Sequence, residues 1–253
     1  MTKRNFKSDK SGQVIIVTAL LVSGLLLSTA LYVIEVGKEV PTIDASQSDV
    51  FSVYKQSTMS TLISALANAS GGGNLNVLGV DLDALKTVIL SNSYQALLTI
   101  DYNPLNSNGY QNGLLISWGA NGFGISSACS SFVFASSSPT AKSNLEYTLN
   151  VTSTVNLSGN YHQIDDTTKQ VTLTFTVQNE GKVALTQNFN VSYRNGTDWM
   201  QVNSSNTTNF DNGTYTVNFN AEQSQPSDPM VVSLLCQDQR GIFVGANLTC
   251  TST

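Results

Sequence analysis

Residues 171–178 read VTLTFTVQ. Val171, Leu173, Phe175 and Val177 alternate with Thr172, Thr174 and Thr176, a period of two that gives an extended strand one apolar and one hydroxylated face. The same texture runs through LEYTLNVTSTVNLSG (145–159), QNFNVSYRNG (187–196), GTYTVNFNAE (213–222), MVVSLLCQ (230–237) and GIFVGANLTC (241–250), with turn-forming residues between them. Six or seven such strands within residues 146–253 predict a β-sandwich.

Toward the N-terminus the character changes. Residues 13–34, QVIIVTALLVSGLLLSTALYVI, hold 22 residues without a charge. As a helix that run is roughly 33 Å long, enough to cross a hydrocarbon core of about 30 Å. Lys3, Arg4, Lys7 and Lys10 precede it, opposed only by Asp9, so the basic end stays in the cytoplasm and everything after Glu35 is sent outward. A cleaved secretory signal would have a shorter apolar stretch and a small-residue exit, whereas this run ends in Tyr32-Val-Ile-Glu.

Between anchor and sandwich, residues 42–70 have helical spacing: Val50, Phe51, Tyr54, Met59, Leu62, Ile63 and Leu66 form a loose apolar stripe that Gly71-Gly72-Gly73 ends. Residues 80–91 form a second helix candidate, with Asp81 suited to its start. Residues 103–141 carry no charge at all, and their Asn-Gly steps divide LLISW and SSFVFAS into strands packed on these helices. Trp118 and Phe123 are expected in that core. The expected fold class is therefore a basic leader (1–12), a transmembrane helix (13–36), a small α+β membrane-proximal module (37–142) and an all-β, Ig-like sandwich domain (143–253).

Two resemblances sharpen this reading. The stretch KSGQVIIVTALLVSGLLLSTALYV resembles the start of archaeal pilin-like surface proteins, whose basic leader is cut just before the apolar helix. The resemblance implies a cut between Gly12 and Gln13 and a mature helix that serves as anchor and as filament core. At VTLTFTVQNEGKVAL the chain resembles the immunoglobulin-like modules of archaeal and bacterial surface proteins, with Asn179, Glu180 and Gly181 as the hairpin turn. That likeness concerns fold alone.

Sequons are the sharpest functional pointer. N-x-[ST] occurs at Asn68, Asn150, Asn156, Asn190, Asn195, Asn203, Asn206, Asn212 and Asn247, and eight of the nine follow residue 145. Asn, Ser and Thr are abundant, so chance alone yields several. Their concentration in the part expected outside the membrane points to N-glycosylation. Three cysteines, Cys129, Cys236 and Cys250, belong to a compartment that permits disulfides. A hairpin could join Cys236 to Cys250, while a bridge from Cys129 to either remains open.

Catalytic signals are missing. His162 is the sole histidine, set near Asp165 and Asp166 in an expected polar turn, and zinc needs three or four protein ligands. Asp81 and Asp83 have no third ligand nearby, whereas Ca²⁺ takes six to eight oxygens. No G-x-S-x-G, H-E-x-x-H, C-x-x-C or Walker sequence is present, and GANGFG lacks the lysine and helix of a phosphate loop. From residue 37 onward 15 acidic side chains face 8 basic ones, which argues against nucleic acid as a partner. The sequence thus predicts a non-enzymatic, cofactor-free, structural or adhesive protein of the cell surface. Its expected partners are the lipid bilayer and either further copies of itself or another surface protein. The alternative is an accessory or ligand-binding subunit of a membrane complex.

Overall fold

The computed structural model describes residues 47–91, 97–137, 142–224, 227 and 229–253. The chain divides into two compact units, Met1–Ser52 and Val53–Thr253. Among the described residues there are two helices and thirteen strands.

Helix α1 (Gln47–Ser70) ends where expected: Gly71 N donates to Ala67 O, Gly72 N to Ala69 O and Gly73 N to Asn68 O, which caps the last carbonyls. Helix α2 (Val77–Ser91) starts earlier than Asp81, because Asn74 opens the turn by accepting from the amides of Asn76 and Val77. Its buried side chains are Leu78, Leu82 and Ile89, the i, i+4 and i+11 positions of one stripe.

Strands β1 (Leu97–Pro104), β2 (Leu114–Trp118), β3 (Phe123–Ser137), β4 (Lys142–Gln163), β5 (Thr168–Asn179) and β6 (Lys182–Val183) follow in order. After them come β7 (Thr186–Asn195), β8 (Asp198–Gln201), β9 (Asn206–Asn209), β10 (Thr214–Glu222), β11 (Val231–Asp238), β12 (Phe243–Thr249) and β13 (Thr251–Ser252). They build two sheets. The larger runs β1-β3-β4-β5-β10-β9, with β2 on β3, β6 on β5 and β13 parallel to β4. The smaller runs β12-β11-β7-β8. The β5–β6 connection is the two-residue turn Glu180-Gly181, both at positive φ (48° and 73°), the primed geometry that suits the twist of paired strands.

The core lies between the sheets. Val171, Leu173, Phe175 and Val177 of β5, all buried, meet Val232, Leu234 and Cys236 of β11 and Val244 of β12. Phe175 stacks on Tyr215 at 5.0 Å and meets Phe189 edge-on at 5.1 Å. A second apolar cluster covers the other half of the large sheet, where Phe134 stacks between Tyr54 of α1 and Tyr147 of β4. The Thr58 and Tyr147 hydroxyls are hydrogen-bonded at 3.0 Å across that contact.

The expected fold class needs correction in two places. A separate α+β module does not exist, because β3 and β4 pair without a break from Phe123↔Asn156 to Ser137↔Lys142. The uncharged strands therefore zip onto the first strand of the sandwich, and Val53–Thr253 is one compact unit. Helix α1 also reaches the β11–β12 hairpin, where Ser70 Oγ accepts from Phe243 N at 3.0 Å. Second, no helix among the described residues is long and apolar enough to cross a membrane. The expected span at 13–34 lies outside the described residues, as does the leader. The β-rich body agrees with the immunoglobulin-like part of the expectation alone.

Candidate functional site

Every sequon asparagine lies within the described residues, and the strand period decides how each is displayed. Along β4 the buried positions are Leu149, Val151, Ser153, Val155 and Leu157, so Asn150 and Asn156 point to the wet face. Asn68 lies in the last turn of α1, Asn190 on β7, Asn203 just after β8, Asn206 on β9 and Asn212 in the turn before β10. These seven are exposed, while Asn195 at the end of β7 and Asn247 on β12 are half-buried.

Several have their amide oxygens held. Asn150 Oδ1 accepts from Ser127 Oγ at 2.8 Å and Thr152 Oγ1 at 3.1 Å. Asn195 Oδ1 accepts from both the amide and the hydroxyl of Ser224 at 2.9 Å. Asn212 Oδ1 accepts from Thr214 N at 3.1 Å. A glycan joins at the amide nitrogen, so these bonds orient the group without consuming the atom that would be modified.

The middle of the large sheet's outer face is a lattice of Thr, Ser and Asn, with Glu146 of β4 and Glu222 of β10 exposed toward its margins. Thr172, Thr174 and Thr176 of β5 stand opposite Asn218, Thr216 and Thr214 of β10, and opposite Asn160, Ser158 and Asn156 of β4. Thr172 Oγ1 donates to Asn218 Oδ1 at 2.7 Å, and the Thr174 and Thr216 hydroxyls lie 3.4 Å apart. These hydroxyls and amides satisfy one another across the strands.

The cysteines do not form the expected hairpin bridge. Cys236 is opposite Val244, whereas Cys250 follows the far end of the same hairpin and donates its amide to Met230 O. Six residues of strand separate them, about 20 Å and far beyond disulfide reach. Cys129, Cys236 and Cys250 are all free and buried.

His162 is on β4, opposite Gln170, and is exposed rather than set in a turn. The turn itself holds Asp165, whose Oδ1 accepts from the amides of Thr167 and Thr168, both at 2.8 Å, which keeps its carboxyl below the usual range. Among the described residues no three of His, Cys, Asp and Glu come together as a metal-holding group. The clefts lined by Arg194, Gly196 and Gln223 and by Asn103, Leu105 and Cys129 have volumes of about 230 and 280 Å³. Both are below the range that organic ligands fill.

Sequence reasoning missed two features. One is a buried clamp. The fully buried Asp238 carboxylate receives Arg240 Nε at 2.9 Å, Arg240 N at 2.8 Å and Ile242 N at 3.0 Å. The same guanidinium reaches Glu180 Oε1 at 2.6 Å and Thr152 O at 3.1 Å, which joins the small sheet's hairpin to the large sheet. The other is the exposure of Phe123, expected in the core but 46% exposed; Trp118, packed over the backbone of Gly245, is 42% exposed. Known protein-family models and curated proteins give no match to this chain.

Proposed function

We propose that this chain is a membrane-anchored, glycosylated protein of the cell surface, held by its N-terminal apolar run, with the β-sandwich body displayed outside. Its work is structural or adhesive, as a pilin-like subunit that assembles with further copies or beside another surface protein. The observation that carries this reading is the display of the sequons: seven of nine are exposed, and they occur on both sheets, on α1 and in the loops. Sugars so placed would cover the Thr and Asn faces and would flank the fully exposed edge strands β8 and β9, blunting edge-to-edge pairing. The basic leader and uncharged 13–34 run of the sequence support the anchored topology.

The test is the intact mass and N-terminal sequence of the protein recovered from its native membrane. A chain beginning at Gln13 and carrying sugar-sized mass increments supports a processed, filament-forming subunit. One that retains Lys3 to Lys10 with the increments supports a fixed surface protein. Recovery in the soluble cell fraction without sugar overturns the proposal.

A further inference from the structure

Four large aromatic side chains stay exposed among the described residues: Trp118, Phe123, Trp199 and Phe210. Trp118 packs over the Gly245 backbone. Phe123 is paired with one sequon asparagine, and Phe210 shares a turn with another. Phe123 opens β3 directly opposite Asn156 of β4. The neighbouring pair is joined by a hydrogen bond from Leu157 N to Gly122 O. Phe123 and Asn156 therefore occupy the narrow, non-hydrogen-bonded position, where Cα atoms approach to about 4.5 Å and side chains are closest. Both are exposed, with buried residues on either side of each. Phe210, 54% exposed, lies two residues before Asn212 in a turn closed by its own amide on Thr214 O at 3.1 Å. Other strand sequons have different neighbours: Asn150 faces Cys129, Asn190 faces Leu235, Asn206 faces Asn218 and Asn247 faces Ser233.

We infer that Asn156 and Asn212 are occupied glycosylation sites whose first pyranose rings pack on Phe123 and Phe210. This inference rests on the surface-glycoprotein reading above and says which sites the fold prepares. A pyranose presents a patch of C–H bonds on one face, and an aromatic ring presents a negative π-face of matching size. Stacking the two removes apolar area from water on both and orders the root of the glycan. The modifying step draws on a lipid-phosphate-linked sugar donor. The bond from Asn Nδ2 to sugar C1 forms, the C1–O bond to phosphate breaks, Nδ2 loses one proton, and the phosphate leaves on its lipid.

The experiment uses the full chain expressed in its source cells, with Phe123→Ala, Phe123→Trp, Phe210→Ala, Asn156→Gln and Asn212→Gln, and the Phe/Asn double variants. Glycopeptide mass spectrometry reads occupancy, and thermal unfolding reads coupling. Sugar is expected at Asn156 and Asn212. Phe123→Ala lowers Tm by about 2–4 °C when Asn156 is glycosylated and by under about 1 °C in the Asn156→Gln background. Phe123→Trp keeps the wild-type value, and the Phe210/Asn212 pair behaves alike. Bare Asn156 and Asn212 beside sugar at other sequons overturn the inference and leave the surface reading standing. Equal Tm losses in both backgrounds also overturn it, because each ring then acts within the protein alone. A chain without sugar at any sequon sinks this inference together with the glycosylated reading.

Discussion

Cys250 has its sulfur where a Cβ added to Gly159 would come within 3.0 Å, and burial pushes its thiol up to about 11. Burial raises Cys236 and Cys129 as well. Because the thiolate is the reacting species, all three should be inert in the folded state. Iodoacetamide at pH 8 is expected to leave native protein unlabelled and to label three thiols after denaturation. A chain that yields one thiol would restore a disulfide, and peptide mapping of that bridge to Cys236 and Cys250 would contradict the register of β11 and β12. Asp165 makes a pH prediction at the same scale. Amides of Thr167 and Thr168 depress its folded pKa, so the contribution to the hairpin tip is fully present above the ordinary value of 3.8. It is lost as pH falls through the lower folded value. An NMR titration of this carboxyl should give a midpoint below 3.8, and a midpoint at or above it would remove the turn's claim on the group.

At the scale of elements, the β11–β12 hairpin is tied to β4 and to the β5–β6 turn by one guanidinium. Arg240→Met would leave the buried Asp238 carboxyl without its guanidinium partner. A loss of about 3–5 kcal/mol is expected from chemical denaturation, as for other broken buried pairs. Glu180→Gln should cost under about 1 kcal/mol, since that end of the clamp is over a third exposed. A small effect of Arg240→Met would mean that Asp238 is satisfied by backbone amides alone. The turns on which this clamp sits were legible in the sequence: Asn179-Glu180-Gly181 and residues 238–241 were both marked by Gly beside acids and amides. The clamp itself was not, because sixty residues separate Glu180 from Arg240 and nothing in the spacing brings them together.

Across the whole molecule, the two sheets meet along glycine. A Cβ on Gly124 would stand 1.8 Å from Gly245 O, so the sheets approach there backbone to backbone. Gly124→Ala must push them apart, and a loss of at least about 1–3 kcal/mol is expected from its unfolding curve. An unchanged midpoint would show that the crossing is loose. The continuous β3–β4 ladder makes a second prediction. Residues 143–253 alone would expose the β3-facing edge of β4, so that fragment should melt without cooperativity by circular dichroism, whereas 53–253 melts in one transition. A cooperative melt of the shorter piece would re-establish the sandwich as an independent domain.

The sequence by itself determined the main strands of the sandwich, β4, β5, β7, β10, β11 and β12, because side chains alternate every residue and a run such as VTLTFTVQ has one choice of buried face. It also marked the end of α1 and the primed turn at Glu180-Gly181, where local backbone conformation is the whole question. It could not place Phe123, since an aromatic at a strand's first residue is apolar whichever face it takes. Only the tertiary structure decided that β4 serves both halves of the body, that Cys236 and Cys250 sit at opposite ends of one hairpin, and that the exposed Phe123 stands opposite Asn156. Those are matters of register between distant segments, set by the sum of many backbone pairings and by what packs above them, and no local pattern encodes that sum.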